Sequence, residues 1–267
     1  MPRSRSVAAT IVALTAFVLT CLFTNPAAGT AAEEYVALGD SYASGVGTRT
    51  YHSDGSGCLR SPAAYPVLDA ARLGAQLSFA ACSGARTSDV LNTQLTQLDA
   101  ETEWVTITVG GNDAGFSSVL TECTQPWWSS NCDAAIDKAR TFIRGTLPAR
   151  LDQVYTAVLQ GAPTARAVVV GYPRLFNGED CNAGTWFSPT EMTRLNDTAD
   201  LLNSTTRGRA SAAGFGFVNP TASFVGHAVC ADVEWVNGLS NPVRESYHPN
   251  KAGQIGYADL VEDALTS

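Results

Sequence analysis

Short runs of apolar residues alternate along the chain with longer stretches in which apolar positions recur at helical spacing. The runs at 35–38, 76–80, 104–109, 167–170 and 216–218 read as strands. The segments 62–73, 134–159, 189–213 and 251–265 read as helices, the second with a break at Pro148. Tyr65, Leu68 and Leu73 fall on the core side of the first helix, and Ile255, Ala258, Val261 and Leu265 share one side of the last. Strands that are apolar along their length, rather than alternating, are buried on both faces. Their alternation with helices therefore predicts an α/β fold with a parallel sheet covered on both sides. In such folds reactive residues collect where strands run out into loops.

The first thirty or so residues do not fit that rhythm. Arg3 and Arg5 precede an apolar-to-small run from Val7 to Phe23, and a small-residue stretch from Ala27 to Ala32 follows Asn25 and Pro26. This is the pattern of an export signal, with cleavage expected between Ala28 and Ala32. The apolar run is at the lower limit for a membrane span and no basic stop-transfer cluster follows it, so no stable membrane insertion is expected. The remainder, 33–267, lacks repeats and linkers and reads as one domain.

Removing the leader takes the net charge from −8 to about −10. A chain this acidic is repelled by a phosphate backbone, so nucleic acid is excluded as a partner. Cys21 lies in the leader, which leaves Cys58, Cys82, Cys123, Cys132, Cys181 and Cys230. An even set in an exported chain predicts disulfides, with 15 possible pairings. There is no C-x-x-C pair and only three scattered histidines, so neither a metal nor a cofactor is expected.

Candidate chemistry lies at the strand ends. Ser41, in Gly39-Asp40-Ser41-Tyr42-Ala43-Ser44-Gly45, is either a helix cap or a serine whose hydroxyl and backbone N–H face a substrate. A nucleophilic serine needs a base. His52 sits in a polar loop and His227 beside apolar neighbours, whereas His248 lies in Ser246-Tyr247-His248-Pro249-Asn250, just ahead of the last helix. Gly110-Gly111-Asn112-Asp113 follows the strand at 104–109: it is either a plain turn or a loop projecting the Asn112 amide at an oxyanion. Gly84, in Cys82-Ser83-Gly84-Ala85, is either a loop glycine or a backbone donor.

Taken together in this order, Gly39-Asp40-Ser41, Gly84, Gly110-Gly111-Asn112-Asp113 and His248-Pro249-Asn250 resemble the blocks of the SGNH, or GDSL, hydrolase family, and most nearly its secreted actinobacterial lipases and esterases. The likeness runs from about residue 35 to the C-terminus. It implies a three-layer α/β/α sandwich of flavodoxin-like type and a serine esterase, with Ser41 as nucleophile and His248 as base. The N–H groups of Ser41 and Gly84 and the Asn112 side chain would form the oxyanion hole. Most of the family carries Asp three residues before the histidine, where this chain has Glu245. The orienting group is therefore either the Glu245 carboxylate or, as in some secreted relatives, a backbone carbonyl, here that of Ser246. The resemblance also implies the pairs Cys58–Cys82, Cys123–Cys132 and Cys181–Cys230.

The substrate it implies is a small-molecule or lipid acyl ester taken up by a monomer, a phospholipid cleaved as by a phospholipase A included. An acetyl ester on a polysaccharide is the alternative, and a non-catalytic glycan-binding surface protein is a third. Phe116, Trp127, Trp128, Trp186 and Phe187 fall in or near loops beside the motif blocks. There they would either hold an acyl chain or pack as core and rim.

Overall fold

Five strands, β1 (Glu34–Gly39), β2 (Gln76–Phe79), β3 (Thr102–Thr108), β4 (Arg166–Val170) and β5 (Gly216–Val218), lie side by side in the order β2-β1-β3-β4-β5. Every pairing is parallel, with Val36 opposite Ser78 on one side and Val105 on the other. These elements come from a computed structural model that describes residues 1–2 and 32–267. The export signal read from the sequence lies outside the described residues.

Parallel neighbours require crossovers, and helices supply them. The chain places α1 (Ser41–Ser44) and α2 (Tyr65–Leu73) before β2, and α3 (Thr87–Asp89), continued by a π-helical stretch and one 3₁₀ turn through residue 97, before β3. Next come α4 (Phe116–Cys123), α5 (Cys132–Gly145) and α6 (Leu147–Gly161), then α7 (Pro189–Ala212) ahead of β5 and α8 (Lys251–Thr266) at the end. Alternate strand residues point to opposite faces, so the sheet carries two cores. Tyr35, Ala37, Val168 and Val170 pack with α2 and α8 on one face. Val36, Leu38, Val105 and Ile107 pack with α6 on the other. The three-layer α/β/α sandwich implied by the sequence is the fold observed.

Local chemistry sets the helix limits. The helix expected over 134–159 is two helices meeting at Thr146, because Pro148 lacks an amide donor and fits only the first turn of α6. α7 opens on a capping box in which the Ser188 side chain accepts from the Glu191 N–H at 3.2 Å and Glu191 accepts from the Ser188 N–H at 2.8 Å. The Asn250 side chain caps α8 by accepting from Ala252 and Gly253. The three disulfides are Cys58–Cys82, Cys123–Cys132 and Cys181–Cys230, the pairs the resemblance implied. Each closes a loop and contributes about 2–4 kcal/mol.

Candidate active site

The end of β1 is built to turn sharply. Gly39 has φ +127°, and a Cβ there would collide with the Thr108 backbone, so only glycine lets the chain cross the end of β3. Gln94 clamps the turn, accepting from the Gly39 N–H at 2.7 Å and donating to its carbonyl at 2.9 Å. Asp40 then caps α1 by accepting from the Tyr42 N–H at 3.0 Å. Capping thus falls to Asp40. Ser41 is the first helical residue, its N–H has no acceptor within the helix, and its side chain is free for another partner. That partner is His248: Nε2 lies 2.8 Å from Ser41 Oγ.

His248 reaches over the sheet from the loop before α8. Its Nδ1 lies 2.8 Å from the Ser246 carbonyl, which can only accept, so Nδ1 carries the proton and Nε2 is left bare toward the serine. Glu245 is buried but turned away from the ring. Its carboxylate accepts from the Tyr51 hydroxyl at 2.6 Å and from the Gly47 N–H at 3.0 Å. The geometry therefore pairs the imidazole with the carbonyl, the second of the two alternatives left open by the sequence. We expect Glu245→Ala to lower kcat by less than about tenfold, far short of the ~10⁴ lost when an orienting carboxylate is removed. The same change should lower the melting temperature by several degrees, because it removes the carboxylate that accepts from the buried Gly47 N–H and the half-buried Tyr51 hydroxyl. Steady-state kinetics and thermal melts on one preparation check both halves.

Burial disfavours the imidazolium and lowers the pKa of His248 to about 4. A base works only while unprotonated, so a depressed pKa carries activity further into acid. We expect kcat/KM to stay level below the ordinary histidine value of ~6.5 and to fall as the pH drops through about 4. A midpoint at 6.5 or above would assign the base to an exposed ring. The other histidines lie elsewhere: His52 is exposed, and His227 stacks on Trp235 with its Nδ1 on the Val233 carbonyl.

The opposite wall carries the donors. Gly84 sits at φ +81°, is exposed, and lines the same cavity as Ser41. The Asn112 side chain donates one N–H to the Ala85 carbonyl at 3.0 Å, which fixes the amide plane and leaves its second N–H available. Asp113 anchors this loop by accepting from the Thr87 N–H and hydroxyl, at 2.9 and 2.6 Å, with Arg150 beside it. Ser41, Gly84, Asn112, Ser246 and His248 all line a single cavity.

Sequence reasoning missed one residue that joins the two walls. The Tyr172 hydroxyl accepts from the Gly111 N–H at 3.2 Å and donates to Asp40 at 2.6 Å, tying the asparagine loop to the serine turn. Burial raises the Asp40 carboxyl to about 7, against the opposing pull of that hydroxyl. The available signal was position: Tyr172 follows Gly171 at the end of β4, as Ser41 and Asn112 follow β1 and β3.

The cavity has a volume of about 370 Å³ and extends from Ser41 along an apolar wall that includes Phe116, Leu120, Leu175 and Leu202. Phe116 thus lies where an acyl chain would run. Phe187 is instead buried against Phe176 and Tyr247, and Trp186 is half-exposed. Trp127 and Trp128 stand out into solvent, not in the cavity. Among the described residues no group of three or more His, Cys, Asp or Glu is arranged to hold a metal ion.

The family model described as "GDSL-like Lipase/Acylhydrolase family" matches residues 37–254. The chain is 46% identical over 236 residues to a lipase of Streptomyces rimosus, covering 87% of each. Among solved structures, the extracellular lipase from Streptomyces rimosus superposes with a TM-score of 0.82 at 45% identity, over 87% of this chain and all of that one. Phospholipase A1 from Streptomyces albidoflavus NA297 superposes with a TM-score of 0.83 at 44% identity, over 88% of this chain and all of that one.

Proposed function

The chain belongs to the GDSL-like lipase/acylhydrolase family and is a carboxylic ester hydrolase, and from that premise we propose that it is an exported lipase that cleaves acyl esters of lipids, phospholipids included, through an acyl-enzyme on Ser41. The observation that carries this reading is the 2.8 Å contact between Ser41 Oγ and His248 Nε2 at the head of an apolar cavity. As Ser41 Oγ bonds to the ester carbonyl carbon, its proton passes to His248 Nε2. The carbonyl oxygen becomes an alkoxide, held by the N–H groups of Ser41 and Gly84 and by the Asn112 amide. Collapse breaks the bond to the alcohol, which leaves with the proton from His248. Water then attacks the acyl-enzyme by the same route, releases the acid and restores Ser41.

The volume and apolar lining of the cavity favour an acyl chain longer than acetyl, since each buried methylene contributes about 0.8 kcal/mol. The phospholipase A1 relative supports glycerophospholipids as one substrate class. Export through residues 1–32, with cleavage between 28 and 32, is supported by three disulfides, which persist in oxidising compartments. The mature protein, 33–267, would then be a single catalytic domain acting as a monomer.

The test is a panel of acetyl, butyryl, octanoyl and palmitoyl nitrophenyl esters, phosphatidylcholine and acetylated xylan. It is run beside labelling with a fluorophosphonate. The expected result is a preference of at least tenfold for longer acyl chains over acetyl, with one label per chain, carried on the Ser41 peptide. Acetylated xylan emerging as the best substrate would overturn the lipid assignment, and a label elsewhere would overturn the nucleophile.

A further inference from the structure

Trp127 and Trp128 are left unused by the chemistry above, yet they are the two most exposed tryptophans, at 82% and 68%. They sit in the loop closed by Cys123–Cys132 and meet edge to face, with ring centroids 5.7 Å apart and planes at 88°. Much of the loop's base is satisfied internally. Ser129 and Ser130 donate their N–H groups to the Pro126 carbonyl at 2.9 and 3.0 Å, and Asn131 donates to the Glu122 carboxylate at 2.6 Å. The Cys132 N–H is taken by Ser130 Oγ at 3.2 Å. A loop with these amides paired enters a less polar medium without leaving them unsatisfied.

The loop is also continuous with the cavity mouth. Phe116, Leu120 and Thr121 of α4 line the cavity, and so does Thr124 inside the loop, three residues before Trp127. Leu239 and Val243 also line this cavity while standing 36% and 72% exposed. The opening is thus bordered by apolar side chains turned outward, and tryptophan is the residue that settles at boundaries between apolar and aqueous phases.

We propose that Trp127 and Trp128 dock the enzyme on a neutral, zwitterionic phospholipid surface, presenting the cavity mouth to lipid. The proposal rests on the lipid-ester reading of the cavity. The net charge, −8 for the full chain and about −10 without the leader, disfavours an anionic surface and leaves the aromatic pair as the attractive element. A polysaccharide fits less well, because two rings at 88° offer no common plane on which successive sugars stack.

The experiment compares wild type, the double variant Trp127→Ala/Trp128→Ala, and Ser41→Ala. Sedimentation with phosphatidylcholine vesicles is set beside hydrolysis of those vesicles and of a soluble butyryl ester. The expected result is at least a tenfold loss of vesicle partitioning in the double variant and a matching loss of vesicle hydrolysis. Turnover of the soluble ester should stay within about twofold of wild type, while Ser41→Ala partitions as wild type does. Equal partitioning of wild type and double variant would overturn the proposal, as would an equal loss on soluble and vesicle substrates. Tryptophan-dependent binding to insoluble xylan without binding to vesicles would also overturn it. A wild type that hydrolyses soluble esters but never sediments with vesicles would remove the docking role and leave the ester-hydrolase reading standing.

Discussion

Ser41→Ala should lower kcat on a soluble ester by about 10⁶-fold, and His248→Ala should cost nearly as much. The double variant should be little worse than either single change, because residues that act as one unit lose their whole contribution with the first member. The 2.8 Å contact between Oγ and Nε2 is the basis: the serine is a nucleophile only while its proton has somewhere to go. Without the imidazole the hydroxyl keeps its proton, and without the hydroxyl the imidazole has no proton to take. Residual turnover reports what the oxyanion donors and the cavity achieve alone. The measurement is single-turnover kinetics on the three variants, normalised by folded protein. Multiplicative losses would show that the two side chains act independently.

Asn112→Ala should lower kcat by about 10²–10³-fold and leave KM within a small factor of wild type. Charge develops on the carbonyl oxygen only as the serine attacks, so a donor aimed at that oxygen acts chiefly on the transition state. The bond from Asn112 Nδ2 to the Ala85 carbonyl holds the amide in place beforehand, which removes the cost of orienting it during the reaction. A mutant whose KM rises while kcat holds would mean that Asn112 binds the ground-state ester instead. Comparing kcat and KM on an octanoyl ester distinguishes the outcomes.

Much of this was legible in the sequence. The runs at 35–38 and 167–170 are apolar throughout, which in a chain of this size marks central parallel strands. Ser41, Gly84, Asn112 and His248, which line one cavity, could be grouped as candidates because their blocks occur together in a set order, although each block alone also fitted a cap, a turn or a loop. What escaped depends on partners distant in sequence. Gln94 reaches Gly39 across 55 residues and Tyr172 reaches Asp40 across 132, and neither carries a local mark. The choice between Glu245 and the Ser246 carbonyl depended on Tyr51, 194 residues away, which draws the carboxylate off. α4 escaped for another reason. Its apolar positions 116, 119, 120 and 123 do keep helical spacing, but eight residues between a glycine turn and a cysteine loop are too few for periodicity to stand out. The aromatics divided unpredictably because hydropathy does not distinguish Phe187, packed on Phe176, from Trp127 at the tip of a loop.

The strand order has a consequence for how the enzyme comes into being. β1, the first strand made, lies inside the sheet between β2 and β3, and Ser41 and His248, whose side chains meet, are separated by 207 residues of chain. Ser41 is therefore synthesised near the start and His248 near the end, with β2 to β5 to be laid down between them. No nascent or truncated chain lacking the segment around α8 can carry the pair. The Ser41–His248 contact can therefore form only once the polypeptide is complete through the loop before α8.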